Sequence, residues 1–162
     1  MIKNLTFIII FCFLFPYSVI AQRTSFPVIT DDNILFSAQM CYVESMFSDA
    51  DCIAELHIIR KRSTKIGFIP MIYKYSALDA NNPRAREART YIWGDIENKP
   101  KEWNKSWAKL RNLVVRVLSG SVSDTCHGAI HWGSVTDKQK QYQVPIRCSE
   151  KVHNIYYKVS KS

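Results

Sequence analysis

The chain has 162 residues, and Lys and Arg outnumber Asp and Glu by 22 to 14, a formal net charge of +8. That length suits one domain with a single core. No repeat, low-complexity linker or second apolar run of membrane-spanning length follows the N-terminal one, and the basic balance suits an anionic polymer as partner.

In chain order, Lys3 and the apolar run Leu5 to Phe15, followed by Val19-Ile20-Ala21, have the pattern of a secretory signal peptide over residues 1–21. Left uncut, the same run would act as an N-terminal anchor. Cleavage before Gln22 leaves a mature domain over 22–162 and removes one basic residue, so the mature charge is +7. Asp31-Asp32 and the spacing of Ile34, Leu35, Ala38, Cys41, Tyr42 and Ser45 predict a capped helix ending near Met46. Glu44 falls at the margin of its apolar stripe. Ser48 can cap a second helix, with Cys52, Leu56 and Ile59 as its apolar face and Arg60-Lys61-Arg62 at its end.

Pro70 is expected in the first turn of a third helix through Ile72, Tyr75 and Leu78. Asn82-Pro83 opens a basic helix around Arg84, Arg86 and Arg89. Gly94 to Pro100 is expected as loop. Trp103, Trp107, Leu110, Val114, Val117 and Leu118 mark an amphipathic helix stopped by Gly120. Beyond it, Gly128, Gly133 and Pro145 alternate with β-branched and aromatic residues, which predicts loops and short strands. The expected class is α+β, predominantly helical, with a small irregular or β-containing C-terminal lobe.

Four cysteines remain after cleavage: Cys41, Cys52, Cys126 and Cys148. An even count in an exported chain favours two disulfides. Three connectivities are open. Grouping along the chain suggests Cys41–Cys52 and Cys126–Cys148, whereas Cys126 paired with Cys41 or Cys52 would staple the C-terminal part to the first helix pair. No C-x-x-C spacing is present, so a zinc ribbon or thioredoxin-type site is not expected.

Two places carry candidate chemistry. Glu44 follows an apolar helix face and precedes a turn, so its carboxyl could enter a cleft and act as a general acid; the alternative is an ordinary surface glutamate. The run Cys126-His127-Gly128-Ala129-Ile130-His131-Trp132-Gly133 combines glycines, histidines and a tryptophan. His127 and His131 are four apart, but the intervening glycine argues against a helix and no glutamate follows His127, so a metal site is not expected. A substrate-binding loop fits better: glycine allows close approach, and tryptophan offers an apolar face to a sugar ring. A disulfide-tethered structural loop is the bland alternative.

These blocks carry a resemblance. Ala38-Gln39-Met40-Cys41-Tyr42-Val43-Glu44-Ser45, then Ile53 to Arg62, looks like the start of the cell-wall hydrolase family of spore cortex-lytic enzymes. There, a helix ends in an essential glutamate and the next closes on a basic pair. Cys126 to Trp132 resembles that family's Gly-Ala-Leu-Tyr-Tyr-like segment, and Val152-His153-Asn154-Ile155-Tyr156-Tyr157 is similar to its ending. The block order is preserved. Val43 and Ser45 stand where the family tends to have Gly and Ala, His131-Trp132 replaces a Tyr pair, and residues 63–120 have no clear counterpart.

The resemblance implies a lysozyme-like fold and cleavage of the β-1,4 bond between N-acetylmuramic acid and N-acetylglucosamine. Glu44 would be catalytic, and His127, Gly128, His131, Trp132, Gly133 and Tyr157 would bind substrate. A lytic transglycosylase can use one carboxyl twice, whereas a hydrolase usually needs a second; Asp49, Asp51 and Asp124 are the nearest in sequence. The expected protein is a periplasmic or secreted monomer that acts on peptidoglycan. It needs no cofactor or metal, has no nucleic-acid partner and does not stay inserted in a membrane. Two readings compete: a glycan-binding protein without turnover, and a secreted basic ribonuclease using His57, His127 or His131.

Overall fold

The computed structural model describes residues 27–91, 101–133 and 143–159. The expected signal peptide over 1–21 and the loop over 94–100 lie outside the described residues. Within them the protein is α+β and mostly helical, with five α-helices and a three-stranded antiparallel sheet. No described helix is long and apolar enough to cross a membrane.

Helix α1 spans Asp31–Ser45. Its cap is Thr30, whose hydroxyl accepts from Asn33 N at 3.1 Å, so Asp31 and Asp32 fall in the first turn, where the helix dipole favours them. The predicted stripe is buried except for the half-buried Leu35, but so are Ser37, Gln39, Met40 and Val43. The reason is that α1 packs against all four other α-helices. A helix enclosed on several sides has no need of a polar face. Two of its three buried polar side chains sit where the backbone can serve them: Gln39 Nε2 donates to Tyr91 O at 3.1 Å, and Ser45 Oγ to Cys41 O at 2.5 Å.

Helix α2 spans Asp49–Arg62 with Ser48 as its cap. It too is buried from Ala50 through Ile59. Between α1 and α2 the chain turns through Met46 and Phe47, both at positive φ (46° and 66°). Non-glycine residues pay roughly 1–2 kcal/mol each for that region. Phe47 recovers contact energy by packing at 5.0 Å from Tyr42 and 5.7 Å from Trp107.

Helix α3 spans Phe68–Tyr75, and Leu78 lies outside it in a separate 3₁₀ turn, Ala77–Asp79. The break is at Ser76, which is extended and caps the turn by accepting from Leu78 N at 3.2 Å. Helix α4, Pro83–Thr90, starts at the expected Asn82 cap. Its arginines hold backbone: Arg84 donates to Val43 O at 3.1 Å near the end of α1, and Arg89 to Leu78 O. Helix α5, Lys101–Leu118, buries Trp107, Leu110, Leu113, Val114, Val117 and Leu118. Trp107 stacks on Tyr91 at 3.7 Å. Each fully buried large apolar side chain contributes roughly 1.5–3 kcal/mol, so this seam is a main source of stability.

The strands are β1 (His131–Gly133), β2 (Gln143–Ile146) and β3 (Ile155–Val159), in the order β1-β3-β2. Trp132 opposes Tyr156, and His131 opposes Tyr157. Successive strand residues face opposite sides. Trp132 and Tyr156 therefore share the face packed on the helices, and His131 and Tyr157 share the other. The cysteines form Cys41–Cys52, joining α1 to α2, and Cys126–Cys148, closing the loop that holds β1 and β2.

Candidate active site

Glu44 stands in the last turn of α1, half-buried. Its two oxygens take donors from distant parts of the chain. Trp132 Nε1 donates to Oε2 at 3.1 Å, and the backbone N–H of Ala77 donates to Oε1. The break at Ser76 is what leaves the Ala77 N–H available. A carboxylate has about four lone-pair positions, so two donors fix its orientation and leave acceptor capacity outward. An open cleft of about 590 Å³ reaches its chain neighbour Val43 and its donor Ala77, though not Glu44 itself; the rest of the lining is Tyr42, Asn82, Pro83, Arg84 and Glu87. Tyr42 OH donates to Glu87 Oε2, and burial, with Glu87 next, pushes the Tyr42 hydroxyl pKa up.

Trp132 and Glu44 are thus brought together, but not as a tryptophan platform requires. Trp132 is 5% exposed, with its ring packed into the core. A ring so buried cannot stack on a sugar; its contact with Glu44 is the indole N–H hydrogen bond. His131 and Tyr157 are half-buried on the opposite face of the sheet, with ring centroids 6.2 Å apart. His127 and Gly128 are exposed in the turn before β1, where Gly128 has φ +81°. Gly133 ends β1 opposite Ile155. Of the six expected binding residues, Trp132 alone meets Glu44; His131 and Tyr157 are on the other face of the sheet, His127 and Gly128 are in the exposed turn, and Gly133 ends the strand.

Behind Glu44, α2 carries two carboxyl groups without solvent exposure, Asp51 and Glu55. Asp51 accepts from Ser48 Oγ at 2.6 Å, the His153 and Asn154 N–H groups at 2.9 Å and 3.1 Å, and Tyr156 OH at 2.9 Å. Burial raises its pKa, but these hydrogen bonds outweigh it and hold the group below the usual carboxylate value. Glu55 accepts from Asn154 Nδ2 at 3.0 Å, and its Oε2 has no hydrogen-bond partner among the described residues. Burial, then the charges of Glu44 and Asp51, push it well above the usual range and favour its neutral form. Asp51 and Glu55 together latch the approach to β3 onto α2.

Sequence reasoning weighed Asp51 only as a second acid and passed over Glu55 and Glu87. Glu55 had a local signal: in the run Ile53 to Ile59 its only polar companion is His57, and a lone glutamate in such a run is buried or paired. Asp49 and Asp124 are ion-paired, with Lys109 at 3.0 Å and Lys61 at 2.7 Å. His57 is buried, with Nε2 3.1 Å from Val122 O, and burial lowers its pKa. So placed, it cannot reach a nucleic-acid substrate. Among the described residues no group of three or more His, Cys, Asp or Glu is placed to hold a metal. Comparison with family models, with curated proteins and with solved structures finds no match for the chain.

Proposed function

We propose that this protein cleaves peptidoglycan glycan strands at the β-1,4 bond between N-acetylmuramic acid and N-acetylglucosamine, with Glu44 as the proton-transfer group. The observation that carries this reading is the seating of Glu44: half-buried at a helix end beside an open cleft, with its carboxyl oriented by Trp132 and Ala77. The resemblance to the spore cortex-lytic family and a lysozyme-like arrangement belong to the same proposal. The two disulfides suit an oxidising compartment, and a periplasmic or secreted location is part of the proposal.

In the transglycosylase route Glu44, protonated, gives its proton to the glycosidic oxygen as the C1–O4 bond breaks. The muramic 6-hydroxyl then bonds to C1, and its proton returns to Glu44. The product is a 1,6-anhydro end, and no water is consumed. A hydrolytic route would call on a second carboxyl. Asp51 and Glu55 are fully buried, so Glu87, which lines the cleft, is the group it would use.

The test is Glu44→Gln on purified peptidoglycan. Cleavage should fall by about 10²–10⁴-fold, the usual worth of general acid–base assistance. Wild-type-like turnover would overturn the assignment. A Gln amide must turn its NH₂ toward one of the two donors, so a stability loss of about 1 kcal/mol should accompany the change. Mass spectrometry of wild-type products separates the routes by one water: anhydro ends mean the single-carboxyl route, and reducing ends point to Glu87.

A further inference from the structure

A second concavity, about 330 Å³, opens where the end of α2 meets α3. Its lining includes Lys61, Arg62, Lys65, Ile66, Lys74 and Tyr75. Lys61 is neutralised by Asp124 at 2.7 Å. Arg62, Lys65 and Lys74 have no carboxylate within ion-pair distance among the described residues. Arg62 is held in place by neutral groups. It donates to Ile130 O and Tyr75 OH, and its guanidinium lies 3.9 Å from the Tyr75 ring centroid. Lys65 and Lys74 are exposed. Three like charges around one hollow repel one another, and an anion relieves that.

The hollow is tied to the Glu44 site by two short stretches of chain. Ile130, which Arg62 binds, is two residues before Trp132; Tyr75 is two residues before Ala77. Trp132 and Ala77 are the donors that hold Glu44. The wall is also partly apolar: Ile66 is 43% exposed, and Met71 lines the hollow as well. A bare phosphate makes no use of such a wall. A peptide with small apolar side chains and a carboxylate uses both parts.

We infer that this hollow is a subsite for the carboxylate-bearing peptide stem of peptidoglycan, engaged while the glycan lies against Glu44. The inference rests on the proposed glycan cleavage for its choice of ligand. Arg62 supplies a fixed edge that also braces the strand carrying Trp132, and Lys65 and Lys74 supply mobile charge. The subsite would make the protein prefer strands whose stems keep free carboxylates over strands with amidated stems.

The experiment uses the mature chain carrying Glu44→Gln, so that binding is read without turnover. The probes are N-acetylmuramyl-tripeptide with free carboxylates, the same compound fully amidated, and inorganic phosphate, each titrated by NMR. The free peptide should shift the Lys65 and Lys74 signals, and its affinity should fall at least tenfold on amidation. Lys65→Ala/Lys74→Ala should lose binding to a similar degree with an unchanged melting temperature, because both side chains are exposed. Equal binding of the amidated compound, or shifts confined to other residues, would overturn the inference. Phosphate binding as tightly as the peptide would replace the stem assignment with a general anion site. Cleavage by the Lys65/Lys74 variant and by the parent is measured separately. Peptide binding at the hollow without any wall cleavage by the parent would sink the catalytic reading instead.

Discussion

Asp51 and Glu55 lie about one helical turn apart on α2, and their pKa values move in opposite directions. The depressed Asp51 contributes stability that is complete above its usual value near 3.8 and is lost as pH falls through its lowered folded value. Glu55 is the reverse. Above its usual value near 4.5 the unfolded chain releases the proton that the folded chain keeps. Stability therefore declines as pH rises from there toward the raised folded value. Glu55→Gln removes that decline, because the amide has no proton to release and can still accept from Asn154. The variant should be more stable than the parent at pH 7, by about 1.4 kcal/mol for each pH unit from the unfolded pKa of Glu55 up to pH 7 or its folded pKa, whichever comes first. Urea unfolding at pH 4.5 and pH 7 checks this; parallel profiles for the two proteins would show that Glu55 does not ionise as its burial demands.

Among the elements, the segment from Cys126 to Cys148 depends most on a covalent tie. It contains β1, of three residues, and β2, of four, and strands this short hold little by themselves. The disulfide closes a 22-residue separation, worth roughly 3 kcal/mol in the chain-entropy account. Ser149 adds two bonds next to it, its N–H and hydroxyl donating to Thr125 O at 2.8 Å and 3.1 Å. Replacing Cys126 and Cys148 by Ser should lower unfolding stability by about that amount. It should also reduce wall cleavage, because Trp132 loses its fixed position against Glu44. A variant that is less stable yet cleaves at the parent rate would separate the tie from the site.

At the scale of the molecule, what was legible in the sequence is what local chemistry decides. Ser48, Asn82-Pro83 and Gly120 mark helix ends because caps and left-handed stops act within a few residues. The Trp107 to Leu118 stripe is legible because it meets the core on one side. Helices α1 and α2 were read as one-faced, and the structure encloses them; periodicity does not report how many neighbours a helix will have. The site was legible only in part. Glu44 and Trp132 could be named, but their meeting spans 88 residues and depends on the Trp132 ring turning inward. The split between Trp132 and His131 follows from strand alternation, which a reading of that segment as loop could not supply. Asp51 could be named as a nearby acid but not placed: its bond to the capping Ser48 is local, while its bonds to residues 153–156 cross about a hundred positions.

Strand β3 lies between β1 and β2, yet it follows both in the chain. During synthesis or export the centre of the sheet therefore arrives after its edges. Until residues 153–156 reach Asp51 and Glu55, β1 has no strand to pair with and Trp132 no packed face to settle into. The proposed proton-transfer group is thus made early and oriented late: Glu44 emerges in the first helix, but the strand that carries its indole partner pairs with the last strand described. A chain cut before residue 150 should keep much of its helical circular dichroism and lose wall cleavage altogether. Retained cleavage by that fragment would mean that Glu44 needs no indole to aim it. On the proposed function, such an order of assembly amounts to a built-in delay, in which a partly delivered chain is inert toward the wall polymer.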